Sequence, residues 1–334
     1  MNCKKLILLF LVASCAYVPA YGFLVRFLQE LADLSAFNTH NREAIYTIVK
    51  ESVDAYAPKI TKNVTTIFSP KTQTVIPEDT SFTLKNIAGG VPQDAYEIVD
   101  FIKDPKRFAR VGAKMPKGIL LHGPGGTGKT SIARAIAGET GAAFFNASGS
   151  DFVEVFVGVG PQRIRELFAK ARAAIADGTH TKAIIFIDEI DAIGGNRMHE
   201  MSSEYRNTLN ALLDQLDGFK QEQSIFVIGA TNNLAILDKA LLRPGRFDRL
   251  IEIGLPTAPS REAILRYYCD KLTYTGADTI FTQITQQTPN YSGAELESLV
   301  NEAAVYAARE NAPAVTEQHL ISALQKVREQ KRYR

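Results

Sequence analysis

Three short stretches of this sequence carry residue types whose spacing suits chemistry on a phosphoanhydride. The run Gly123-Pro124-Gly125-Gly126-Thr127-Gly128-Lys129-Thr130, continued by Ser131, has the glycine-rich pattern closed by Lys-Thr. Glycines there let backbone N–H groups turn inward around phosphate oxygens, and a helix start adds its positive dipole end. Lys129 reaches the terminal phosphates, and the Thr130 hydroxyl suits Mg²⁺. Farther along, the apolar run Ala183 to Ile187 ends in Asp188-Glu189. That places Asp188 beside a Mg²⁺ shell and leaves Glu189 to orient or deprotonate an attacking water. A third apolar run, Ile225 to Ile228, ends in Gly229-Ala230-Thr231-Asn232, whose polar side chain at the strand tip suits contact with the water or the γ-phosphate. An ordinary strand-end turn explains that last residue almost as well. Two acids after a strand also read as a helix N-terminal charge preference. Paired with the glycine loop, they point to hydrolysis rather than binding alone.

Such residues need a scaffold that presents them together. Strand-like runs at Gly118 to His122, Ala143 to Asn146, Ala183 to Ile187, Ser224 to Ala230 and Leu250 to Ile253 alternate with helical stretches, among them the Ala-rich Ser131 to Glu139. That alternation predicts an α/β fold, a parallel sheet with helices on both faces and, with the glycine loop, of P-loop NTPase type; the small helical lid that follows it is implied by the family resemblance described below. The boundaries fall at 81–256 for the nucleotide-binding domain and 257–334 for the lid with its basic tail.

Composition narrows the class. At 334 residues the chain exceeds the roughly 250–300 at which single cores stop growing. Its 46% apolar and 22% charged residues exclude a mainly disordered or multi-span chain. A formal charge of +2 is too small for a global nucleic-acid footprint. The basic cluster from Lys326 to Arg334 reads as a solvated helix end. Cys3, Cys15 and Cys269 cannot assemble a disulfide framework or a thiolate zinc site.

The N-terminus is ambiguous. Leu6 to Val25 is 20 residues without a charge, about 30 Å as a helix and so one bilayer core. Residues 1–27 thus read as a membrane anchor, with the nucleotide-binding domain expected in the cytosol although the flanking charges do not set the orientation. The same run also reads as a cleaved signal with Ala20-Tyr21-Gly22 at its end, or as a lipidated one at Val12-Ala13-Ser14-Cys15. Residues 28–80 read as a helical spacer broken by Pro58, Pro70 and Pro77.

From about Phe82 to Arg328 the chain resembles the AAA+ ATPases, and among them the FtsH-like membrane-anchored proteases. The similarity includes Ile87-Ala88-Gly89, the segment Ser148 to Gly160, and Leu242-Arg243-Pro244-Gly245-Arg246-Phe247-Asp248-Arg249. It implies ATP as the nucleotide, Ala88, Gly293 and Ala294 against it, and Asn232 as a sensor. It implies a homo-oligomeric, hexameric ring in which Arg243 and Arg246 act on the neighbouring subunit's site. Phe156-Val157-Gly158 resembles a loop that grips unfolded protein substrates in the ring's pore; without the family, Phe152, Val155 and Phe156 read as core. Asp217-Gly218-Phe219 resembles a segment that passes nucleotide state between subunits. Ser292 and Glu295 fit a helix-capping box on local grounds alone.

Three departures stand out. Gly125 replaces a proline common in the family's loop, and Asn233 stands where an arginine is common. No His-Glu-x-x-His occurs in these 334 residues, so a zinc-protease activity is not expected of them and a separate protease partner is left open. The rivals are a nonenzymatic regulatory subunit of an FtsH-like ring and, behind it, a nucleic-acid motor; no nucleic-acid partner is expected.

Overall fold

The computed structural model describes residues 73–75, 82–113, 116–153, 158–195, 203–218 and 224–331. All belong to the second of the chain's two units, Ser69–Arg334. The apolar N-terminal run, nearly all of the 28–80 spacer, Phe156, Val157 and Phe219 lie outside the described residues. Among the described residues no helix is long and apolar enough to cross a membrane.

Among the described residues, six strands form one sheet. They are β1 (Gln73–Val75), β2 (Gly118–His122), β3 (Ala143–Ser148), β4 (Ala183–Asp188), β5 (Ile225–Thr231) and β6 (Phe247–Glu252), in the spatial order β1-β3-β4-β5-β2-β6. The five strands β2 to β6 run parallel and β1 pairs antiparallel with β3. A parallel sheet needs cover on both faces, which is why β4 and β5 are almost continuously apolar and buried. Alternate residues then divide between two cores. Phe144, Ile184 and Phe186 face one, under α1 (Gln93–Lys103) and α3 (Lys129–Thr140), while Phe145, Ile185 and Ile187 face the other. The second face is covered by α4 (Val159–Ala176) and α6 (Ser203–Asp217). Two short helices, α2 (Pro105–Ala109) and α5 (Asp191–Gly194), complete this part.

The remaining helices are α7 (Ala258–Cys269), α8 (Thr279–Gln287), α9 (Gly293–Arg309) and α10 (Glu317–Lys331). They enclose a core of their own around Leu265, Phe281, Leu296, Leu299 and Leu320. Ser292 and Glu295 form the capping box that the sequence predicts at the start of α9: each side chain accepts the other's backbone N–H.

One expectation needs correction. The last strand begins at Phe247, not Leu250, because the Arg243–Arg246 turn closes early and delivers Phe247 into the core beneath β2. The described part of the basic cluster is an exposed helix end, as expected, whose cations also find partners in the lid. Lys326 pairs with Glu302, Arg328 donates to Gln287 at 3.1 Å, and Lys331 pairs with Glu295 at 2.9 Å, so α10 spends three of its cations on the lid itself.

Candidate nucleotide site

In a parallel sheet the strands' carboxyl ends form one rim, and register brings the chemistry-bearing residues to it. His122 at the end of β2 lies opposite Thr231 on β5, and Asp188 at the end of β4 lies opposite Ser148 on β3. The glycine loop leaves β2 and enters α3 at Lys129, which is only 6% exposed. Its Nζ donates to Gly123 O, Pro124 O and Asn232 Oδ1, each at 2.8 Å. Burial pushes this lysine below its ordinary pKa, while the charges of Asp188 and Asp191 pull it back up.

Thr130 Oγ1 donates to Asp188 Oδ2 at 2.8 Å, so a hydroxyl and a carboxylate from different elements meet at one point. Hard oxygen donors of this kind suit Mg²⁺. Asp188 Oδ1 accepts the Glu189 N–H at 2.9 Å, and Glu189 holds a left-handed φ of 49° with its side chain exposed. A non-glycine residue there stores backbone strain, a feature that clusters at functional sites. Gly149 makes the bend sterically feasible, because a Cβ at that position would overlap the Glu189 carbonyl.

The lid reaches the loop directly. Gly126 (φ 73°) accepts the Ala294 N–H at 3.1 Å, and a Cβ on Gly126 would lie 2.8 Å from the Ala294 Cβ. Gly293 packs behind it. Ala88 is half-buried against the lid core, and Ser260 Oγ donates to Gly89 O at 2.7 Å. The side chain of Ile264 separates Gly89 from Gly293: its Cδ1 would be 3.0 Å from a Cβ on the first and 4.0 Å from one on the second. Gly293 and Ala294 therefore stand at the seam between phosphate loop and lid, with Ala88 packed against the lid core. Thr127 Oγ1 donates to Pro124 O at 2.9 Å and closes the loop from within, while Ser131 is exposed on the first turn of α3. Gly128, at φ 93°, has open space where a Cβ would point. The lysine, the glycine cradle and the Thr130–Asp188 pair fit a Mg²⁺-bound nucleoside triphosphate.

The two arginines are held differently. Arg243 is exposed on its turn. Arg246 grips Asp217 with Nε at 3.0 Å and Nη2 at 2.8 Å, and gives Nη1 to Ala240 O at 2.8 Å. Within this chain, then, Arg246 is bound to the segment read as an intersubunit relay. The Asp217 carboxyl is held below its ordinary range by those hydrogen bonds, although partial burial opposes the shift. Gly158, with φ 90°, precedes α4.

Sequence reasoning passed over Asp191 and Thr231. The buried Thr231 hydroxyl donates to Asp191 Oδ1 at 2.8 Å and accepts the Asn233 N–H at 3.0 Å. This ties the tip of β5, and with it Asn232, to the helix that follows Asp188 and Glu189. The signal was the three-residue spacing of Asp188 and Asp191 across a helix start. Asn233, at the position of the family's arginine, caps the short 3₁₀ turn Leu234–Ile236.

Comparison with known proteins agrees with this geometry. Residues 119–255 match the ATPase family associated with various cellular activities (AAA), and residues 278–322 match the AAA+ lid domain. The chain is 48% identical over 250 residues to the ATP-dependent zinc metalloprotease FtsH of Pelobacter propionicus, covering 73% of this chain and 39% of that one. It is 50% identical over 251 residues to FtsH 1 of Alkaliphilus metalliredigens, covering 74% and 41%. It is 43% identical over 320 residues to the mitochondrial inner membrane i-AAA protease supercomplex subunit YME1 of Saccharomyces cerevisiae, covering 93% and 42%. The chain thus spans about two fifths of the length of these curated relatives.

Proposed function

Because this chain belongs to the AAA ATPases and carries both the ATPase domain and its lid, we propose that it hydrolyses ATP and uses the energy to remodel or unfold proteins. The observation that carries this reading is the convergence of Lys129, Asn232, Thr130 and Asp188 at one sheet rim.

Each residue has a distinct task. The loop from Gly123 to Gly128 wraps the phosphates with its N–H groups. Lys129 exchanges its carbonyl partners for phosphate oxygens and offsets charge that develops as the terminal bond breaks. Thr130 and Asp188 would hold Mg²⁺, which neutralises phosphate charge when bound. Glu189 orients the attacking water and takes its proton, and Asn232 holds the water or the terminal phosphate in line. Ala88, Gly293 and Ala294 wall the nucleotide from the lid side.

The assembly we infer is a homo-hexameric ring in which Arg243 and Arg246 complete the neighbour's site. Phe156, Val157 and Gly158 engage unfolded substrate in its pore through apolar contact. Leu6 to Val25 anchors the chain to a membrane, and the 334 residues themselves contribute no protease chemistry. Phosphate release from ATP by the purified protein, with GTP as competitor, tests the activity. Lys129→Ala should abolish both nucleotide binding and release while circular dichroism stays unchanged. Retained binding in that variant would overturn the proposal.

A further inference from the structure

The last turn of α10 lies behind the lid turn that touches the phosphate loop. We propose that Lys331 is a positioning residue that fastens this turn and, through Ala294, sets the geometry in which the loop takes nucleotide. The inference deepens the nucleotide reading above and rests on it.

Lys331 Nζ makes three contacts: Glu295 Oε1 at 2.9 Å, Asn290 O at 3.1 Å, and the Tyr291 ring, 4.0 Å below it. Asn290 and Tyr291 belong to the connection between α8 and α9, and Glu295 to the first turn of α9. Asn290 sits at a left-handed φ of 59°, so regular secondary structure does not hold the turn. The buried Tyr291 follows, and Glu295 clamps the Ser292 N–H through its other oxygen at 2.7 Å. Between these two anchor points the chain must pass through Gly293 and Ala294, whose N–H bonds Gly126 O. One ammonium therefore holds the turn on both sides of its contact with the phosphate loop.

The helix does not press on the loop directly. Pro124, Gly125 and Gly126 share the lining of a cleft of about 530 Å³ with Val327, Gln330 and Lys331. A continuous set of contacts leads from α10 to the loop through the turn. Burial disfavours the ionised Glu295 carboxylate, but the Ser292 N–H and Lys331 outweigh it and keep its pKa below the ordinary value. The clamp is therefore charged when the site works.

The test compares Lys331→Met, Lys331→Arg and the control Lys326→Met, which removes a cation–acid pair from the same helix without touching the turn. Two readouts are used: titration with a fluorescent N-methylanthraniloyl ADP and Mg²⁺, and hydrogen exchange of the peptide containing Ala294 in nucleotide-free protein. Lys331→Met should weaken ADP binding about fivefold, as one half-exposed ion pair with a ring contact allows. It should raise KM with kcat nearly constant and speed exchange at Ala294. Lys331→Arg should recover most of both, and Lys326→Met should change neither.

Glu295→Gln, which keeps an acceptor for Ser292 but drops the charge, should repeat the loss and serves if Lys331→Met folds poorly. Wild-type affinity and exchange in Lys331→Met, or equal effects from both lysine sites, would overturn the proposal. If even the wild type fails to bind ADP, the nucleotide reading falls, and the exchange comparison alone decides whether Lys331 fastens the turn.

Discussion

Replacing Gly126 with alanine perturbs the seam between phosphate loop and lid, and Gly128→Ala supplies the matched control. Both glycines hold positive φ, 73° and 93°, so alanine at either position costs roughly 1–2 kcal/mol of backbone strain. They differ in what the new methyl meets. At Gly128 there is open space; at Gly126 the Cβ would stand 2.8 Å from Ala294 Cβ and 3.0 Å from Ser292 Oγ. Ordinary carbon contacts lie near 3.5–4.0 Å, so the start of α9 must retreat by about 1 Å. That retreat stretches the 3.1 Å bond from Ala294 N–H to Gly126 O beyond hydrogen-bonding range. The lost bond adds about 0.5–1.5 kcal/mol. At roughly 2–4 °C per kcal/mol for a domain of this size, Gly126→Ala should melt a further ~1–6 °C below Gly128→Ala. Thermal melts are read without nucleotide, so that phosphate contacts do not enter. Equal melting temperatures in the two variants would refute the reasoning and remove the lid from the loop's support.

The other expectations concern the rim and the ring. Asp191→Ala strands the buried Thr231 hydroxyl, about 1–3 kcal/mol of unmet hydrogen bonding, and frees Asn232. Steady-state kinetics should show kcat falling about tenfold or more with ADP affinity nearly intact; an unchanged kcat would deny Asp191 its positioning role. Arg246→Ala should suppress hydrolysis, and mixing it with a Glu189 variant should restore part of the activity. Failure of every mixture to recover would argue against shared sites. The Asp217–Arg246 pair also has a pH signature. Because the folded Asp217 value lies below its ordinary 3.8, its contribution is complete above 3.8 and is lost as pH falls through the lower folded value. Acid melts of Asp217→Asn should lack that part of the fall, and a parallel curve would contradict it. Finally, Phe156→Ala should keep the melting temperature and basal hydrolysis while losing the unfolding of a tagged test protein. A marked drop in melting temperature would return Phe156 to the core.

What could be read from the sequence was what is local. The loop from Gly123 to Thr130 and the pair Asp188-Glu189 each lie within one strand-to-helix turn, and periodicity placed β2 to β5 closely. β6 was harder, because Asp248 and Arg249 interrupt its apolar pattern at a sheet edge, where Asp248 is exposed and Arg249 pairs with Asp94 and Glu97 on α1. β1 has only three residues and forms through pairing with β3. The contacts that periodicity could not supply join distant segments: Gly126 with Ala294, Asp191 with Thr231, Asp217 with Arg246. Each depends on how the sheet rim, the lid and α6 pack, and no local propensity encodes it. The basic tail was legible as a helix end for its charge, but its acidic and amide partners on α8 and α9 were not.

The most direct test of the account separates binding from turnover at Glu189. Glu189→Gln preserves the side-chain volume and leaves Lys129, Thr130 and Asp188 untouched, but removes the base that takes the proton of water. Equilibrium binding of ATP and phosphate release are measured on the same preparation, with Mg²⁺ present throughout. The account predicts ATP affinity within about threefold of wild type and turnover reduced about a hundredfold or more. Turnover close to wild type in Glu189→Gln, or no ATP binding in the wild-type protein, would contradict it.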